Sequence, residues 1–179
     1  MVVDLVVTKD MEFEGNTEFG NVSQKLGEHH KITVYGNIRI HGNLYMDEIE
    51  VEGSLKVDGT ITAQGKVEAG TVRVKDLKVK EVEAYKLNEN NTREKKVSGS
   101  IDANHIECNM LICNKLIYEN HFSYKKSLHT PAFVIGTFPP FNDEEEWEDE
   151  YGNIYNYKSF YFHQNDFNEE RGLRIWKRK

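Results

Sequence analysis

The chain has 179 residues, with 30 acidic side chains against 23 Lys and Arg, a formal net charge of −7 and 2 cysteines. That length suits one domain, or one domain with an appended piece, whose core needs no disulfide staples. The acidic balance argues against broad contact with nucleic-acid backbone, and two cysteines make no disulfide framework, so a reducing, cytoplasmic setting is expected.

The chain opens on MVVDLVVTKD, which lacks the basic lead of a secretory signal. No stretch reaches the length of a membrane-spanning helix. LVVTKD, MEFEGN and TEFGN then place Leu5/Val7, Met11/Phe13 and Thr17/Phe19 two residues apart. Side chains at i and i+2 face the same side of a strand. The phenylalanines predict a first coil that plugs the end of an apolar column. The segment 21–31, NVSQKLGEHHK, breaks this pattern and predicts a loop or short helix.

From Ile32 the pattern becomes a repeat. ITVYGN, IRIHGN, IEVEGS, LKVDGT, ITAQGK and VEAG share one template: aliphatic, any, aliphatic or Ala, any, Gly, then small or polar. The inward pairs are Ile32/Val34, Ile38/Ile40, Leu44/Met46, Ile49/Val51, Leu55/Val57, Ile61/Ala63 and Val67/Ala69. From Val72 the period shortens, giving Val72/Val74, Leu77/Val79 and Val82/Ala84. After a polar break at 87–96 come Ile101/Ala103, Ile106/Cys108, Leu111/Cys113 and Leu116/Tyr118. None of these positions is charged, and the residues between them are mostly Glu, Lys, Asp, Arg and Asn. This spacing does not follow a 3.6-residue period, and glycine every sixth residue would ruin a helix. Strands this short gain stability only when the next coil stacks on them. The prediction is an all-β solenoid over residues 1–120, with insertions near 20–31 and 87–96. Gly36, Gly42, Gly53, Gly59 and Gly65 are expected at corners because a tight bend needs positive φ. Asn104, Asn109 and Asn114 take the equivalent corners of the shorter period.

From about His121 the repeat ends and aromatics accumulate. PAFVIG reads as a strand that stops at Pro139-Pro140. NDEEEWEDEYGN is an acid run, with Tyr151-Gly152-Asn153 as a hairpin turn. RGLRIWKRK offers Leu173, Ile175 and Trp176 as apolar anchors. Residues 121–179 are therefore read as a small aromatic-rich capping segment, or as a docking segment contacting a partner through Glu144, Glu145, Trp147, Glu148 and Tyr151.

The run ITVYGNIRIHGN … IEVEGSLKVDGTITAQGKVEAGTVRV, within Ile32 to Val82, resembles the bactofilins, the polymer-forming bacterial cytoskeletal proteins. The resemblance implies a right-handed, three-sided, single-stranded β-helix whose copies stack end to end without nucleotide. It implies a non-enzymatic, self-associating scaffold with no cofactor. Its end contacts would be Leu5, Val7, Met11, Phe13 and Phe19 on one side, and Leu116 and Tyr118 on the other. This chain departs from the family in its long aromatic C-terminal segment. The alternative expectation is a capped, non-polymerising binding protein of inhibitor or immunity type. A sugar-acyltransferase reading would rest on His41 or His105 as general base. The hexapeptide template of those enzymes, with glycine directly after the aliphatic residue, does not fit Ile40-His41-Gly42. Cys108 and Cys113 sit at inward positions, where cysteine acts as a small apolar residue, and no metal site is expected.

Overall fold

The computed structural model describes residues 2–84, 99–113, 115–129, 133–136, 146–155 and 174–178. Among them there is no helix, and the strands join into one 16-stranded sheet that winds into a β-solenoid of about six turns. The first coil is β1 (Leu5–Val7), β2 (Met11–Glu14) and β3 (Thr17–Phe19). The second is β4 (Val22–Gln24), β5 (Lys31–Tyr35) and β6 (Ile38–Ile40). β7 (Leu44–Met46) and β8 (Glu48–Val51) lead into β9 (Ser54–Ala69), which bends round corners and serves three sides in turn. β10 (Thr71–Ala84), β11 (Ser100–Ile112) and β12 (Lys115–His129) continue the winding.

Three faces result, each a parallel ladder. On the first face Leu5 lies over Val22, Val22 over Leu44, Leu44 over Ile61, Ile61 over Leu77 and Leu77 over Ile106. On the second, Met11, Ile32, Ile49, Val67, Val82 and Leu111 stack in the same way. On the third, Thr17, Ile38, Leu55, Val72, Ile101 and Leu116 do so. Every inward pair from Ile32 to Tyr118 named above is buried, and together they form one core cluster. The column is narrow, so each coil fills it with only six inward side chains, and burying one Val, Leu or Ile contributes about 1.5–3 kcal/mol.

The change of period leaves a mark. Where β10 pairs with β9 the register shifts between Val74 and Asp76 and again between Val79 and Glu81. A five-residue side thus lies on a six-residue side by losing one corner residue, while the inward pairs stay aligned. The expected break at 21–31 is shorter than predicted. Val22–Gln24 is a strand of the second coil, with Val22 and Gln24 buried, so the departure from the ladder is confined to residues 25–30 and contains no helix. Gln24 passed unnoticed because it is polar. Its amide is satisfied inside the corner: Nε2 donates to the Glu28 carbonyl at 2.5 Å, and Oε1 accepts the Asp47 backbone N–H at 3.1 Å. The second break, 87–96, lies outside the described residues, as does Asn114.

The repeat glycines also have a different cause from the one expected. Gly42, Gly53, Gly59 and Gly65 lie outside the left-handed region, and Gly36 sits at its edge with φ of 158°. What excludes a side chain is the coil beneath. The Asn21 carboxamide lies under Gly42, Asn43 under Gly59 and Asn37 under Gly53, each with Oδ1 where a Cβ would be. The same Oδ1 atoms accept the next backbone N–H: Asn43 N–H donates to Asn21 at 2.9 Å, Thr60 N–H to Asn43 at 2.8 Å and Ser54 N–H to Asn37 at 2.8 Å. Asp4 begins the column by accepting from Asn21 N–H at 2.7 Å. Each Gly-Asn corner therefore supplies a bare Cα to the coil below and an acceptor to the coil above.

Candidate functional site

The two ends of the solenoid differ. At the first coil, β1, β2 and β3 each pair with a strand on one edge only, and among the described residues no strand covers the other. Leu5, Met11, Phe13 and Phe19 are only partly buried there, and the Phe13 and Phe19 rings meet edge to face at 5.4 Å. Val7, expected as an end contact, is fully buried. Val2, Val3 and Val6 are exposed beside this end, Val6 at 65%. Unpaired backbone groups beside apolar surface form an adhesive edge.

At the other end, among the described residues, the parallel ladder passes into antiparallel pairing. Beyond β12 lies β13 (Phe133–Gly136), which is parallel to it, with Tyr118 opposite Gly136. Three short strands follow: β14 (Trp147–Glu148), β15 (Ile154–Tyr155) and β16 (Arg174–Arg178). β16 runs antiparallel to β13, with Ile175 opposite Ile135, and β14 runs antiparallel to both β16 and β15. The predicted turn at Tyr151-Gly152-Asn153 is present. Gly152 has φ of 86°, and Asp149 accepts the Tyr151 and Asn153 backbone N–H groups at 3.0 and 2.8 Å.

These placements revise the expected contact residues. Leu116 and Tyr118 are buried inside the column with β13 laid beyond them, so they present no surface to a second copy. Trp147 is also buried, in the same cluster as Trp176, whose ring meets Tyr155 edge to face at 5.7 Å. The acid run misled because a large aromatic ring gains more from burial than its charged neighbours lose. Glu148 is half-buried and Tyr151 is 76% exposed at the hairpin tip. Glu144 and Glu145 lie outside the described residues.

The outward middle residues sort by face, a separation that reading the charges along the chain did not reveal. On the second face Glu12, Glu50, Glu68 and Glu83 dominate, braced by lysines: Lys31 Nζ to Glu50 at 2.8 Å, and Lys66 Nζ to Glu83 at 2.8 Å and to Glu68 at 3.9 Å. The hydrogen bond that Lys31 donates to the Glu50 carboxylate holds its ammonium above its ordinary pKa, against the opposing effect of burial. On the third face the middle residues are Glu18, Arg39, Lys56, Arg73, Asp102 and Ile117. From Ile38 onward, taking the middle residue of every third apolar triplet finds Arg39, Lys56, Arg73 and Asp102; Glu18 is lost to that count because the Val22–Gln24 strand carries a polar inward residue.

His41, weighed as a general base, is tied into a clasp across three coils. Its Nε2 meets Glu18, and its Nδ1 lies 3.6 Å from Asp58, which also receives Arg39 Nη2 at 3.2 Å. His105 is exposed and lines a shallow cleft with Asp76, Lys78 and Glu107. His41 lies on the second coil and His105 on the sixth, so the structure does not bring them together.

Cys108 and Cys113 are free and buried, as their inward register predicted. Burial pushes the Cys108 thiol up to about 12, and burial with the nearby Cys108 raises Cys113 further. Native protein is therefore expected to react with a thiol reagent at pH 8 at least about tenfold more slowly than the urea-unfolded chain. Paired absorbance traces measure this directly. No group of His, Cys, Asp and Glu that could hold a metal ion occurs among the described residues.

No family model matches the chain, and comparison with curated proteins and with solved structures gives no match.

Proposed function

We propose that this protein is a non-enzymatic scaffold that self-associates through its first coil, in the manner of a bactofilin-like solenoid. One observation carries the reading: β1, β2 and β3 present free edges on all three faces, next to half-buried Leu5, Met11, Phe13 and Phe19. A second copy meeting this end would satisfy those backbone groups and cover the two phenylalanines. Such a contact is hydrophobic at its centre, as stable homo-oligomeric interfaces are.

The antiparallel strands at the far end support a limit on this assembly. A strand that runs against the stack cannot continue the parallel ladder into another copy, so the contact would close at two chains rather than extend a filament. In this reading residues 121–179 are the cap. The chain would then act as a paired rod, working in the cytoplasm and leaving the exposed Tyr151 hairpin free for a protein partner.

Analytical ultracentrifugation of the full chain tests this. The expected result is a concentration-dependent dimer that becomes monomer in Phe13→Glu, with an unchanged circular-dichroism spectrum. A monomer at every concentration overturns self-association. Species that keep growing with concentration overturn the closed pair and restore the filament.

A further inference from the structure

The apolar centre of the first coil is ringed by acid. Among residues 2–20, Asp4, Asp10, Glu12, Glu14 and Glu18 are exposed carboxylates, and Lys9 is the only cationic side chain. Deeper in the solenoid the chain braces its carboxylates: Lys31 Nζ lies 2.8 Å from Glu50, Lys66 Nζ 2.8 Å from Glu83 and Arg39 Nη2 3.2 Å from Asp58. The first coil lacks this bracing. Lys31 donates its backbone N–H to Asp10 at 2.9 Å, but its ammonium turns away to Glu50 in the third coil. Asp4, Asp10, Glu12 and Glu14 have no ion-pair partner among the described residues, and Glu18 meets His41.

A closed pair of identical ends is related by a twofold axis across the seam. The outward middle residues of the first coil are Val6, Glu12 and Glu18, one on each face. With the faces aligned, a three-sided end can pair in three ways, one for each face on the axis. With the first face there, Val6 adjoins its own copy and Glu12 of each chain adjoins Glu18 of the other. With the second face there, Glu12 adjoins Glu12, and with the third, Glu18 adjoins Glu18. Every arrangement therefore sets like charges on adjoining strands, which lie about 4.8 Å apart. Like charges placed this way oppose pairing.

We infer, resting on the pairing proposed above, that the first coil is a charge-gated contact. Half-buried Leu5, Met11, Phe13 and Phe19 draw two copies together, the acid rim holds them apart in dilute salt, and dissolved ions close the pair by screening the rim. The two terms respond differently to the medium. Repulsion between exposed charges reaches over the Debye length, which falls from about 30 Å in 0.01 M salt to about 10 Å in 0.1 M. Apolar burial acts at contact and has no such range. The pair should therefore tighten as salt is added, the reverse of a contact held by ion pairs.

The experiment measures the dimer dissociation constant of the full chain by sedimentation equilibrium in sodium chloride. From about 0.01 M to about 0.5 M the constant should fall by about tenfold or more. The double variant Glu12→Gln, Glu18→Gln should pair about fivefold or more tightly than the parent chain at the low end, and tighten by less than about threefold across the range. Glu107→Gln, an exposed carboxylate on the sixth coil, should leave the salt response unchanged. Salt also favours apolar burial slightly, so the comparison of variants identifies the rim as the cause. Circular dichroism reads the folding of each variant. A dimer whose constant ignores salt or rises with it overturns the gate and leaves the pairing intact. A double variant with the parent's salt response, or a Glu107→Gln chain that loses it, also overturns the gate. A monomer at every concentration in about 0.5 M salt overturns the pairing, and the gate with it.

Discussion

Leu77→Ala is expected to lower the free energy of unfolding by about 2–5 kcal/mol, and the melting temperature by about 5–15 °C. Leu77 is fully buried, with Ile61 in register on one side and Ile106 on the other. A cavity opened there is walled by neighbouring rungs, whose backbones are fixed by ladders on both edges, and it cannot collapse. The same substitution at Leu5, on the same face but in the first coil, should cost only about 1 kcal/mol. Leu5 is partly exposed and has a neighbour on one side only. Urea melts of the two variants measure the difference. Equal losses would mean that the end coil is as tightly packed as the centre, and would count against an open first coil. Because stability in a stacked array is a sum over neighbouring units, the Leu77 variant should also broaden the transition.

The apolar pairs were legible because burial repeats every two residues within a strand and every five or six along the chain. Ile32/Val34 through Leu116/Tyr118 needed no knowledge of what lay above or below them. What the sequence hides is vertical adjacency. Asn43 and Gly59 are sixteen residues apart, and nothing along the chain marks them as touching until the coil length is known. That length varies, because residues 25–30 leave the ladder in the second coil and the sides shorten after Val72. For the same reason the outward charges look mixed along the chain, although Arg39, Lys56 and Arg73 share one face and Glu50, Glu68 and Glu83 another. At the C-terminal end the pairing of Ile135 with Ile175 is antiparallel and long-range, so no local period announces it. Trp147 looks exposed in the sequence because its charged neighbours are visible there and its buried surroundings are not.

The Gly-Asn corners give the sharpest quantitative test of vertical adjacency. Gly59→Ala is expected to destabilise the protein by about 1–3 kcal/mol, although the backbone there suits any residue. The added methyl would fall on the Asn43 carboxamide, which is held in place by the Thr60 N–H at 2.8 Å. Moving the carboxamide aside would break that bond and leave an amide unsatisfied in a corner closed by the next coil. Asn43→Ala alone loses the same hydrogen bond and should cost about 1 kcal/mol. The double variant decides the cause. If the methyl clashes with the carboxamide, removing the carboxamide makes room, and the combined loss falls short of the sum by about 1 kcal/mol or more. If glycine were present for its φ, the two losses would add, and they would add equally at Gly53 with Asn37. Gly15 is the contrast, with φ of 76° and open space where a side chain would begin. Alanine there should cost about 1 kcal/mol, the penalty of a left-handed residue without a clash, and no change at a neighbouring position should rescue it.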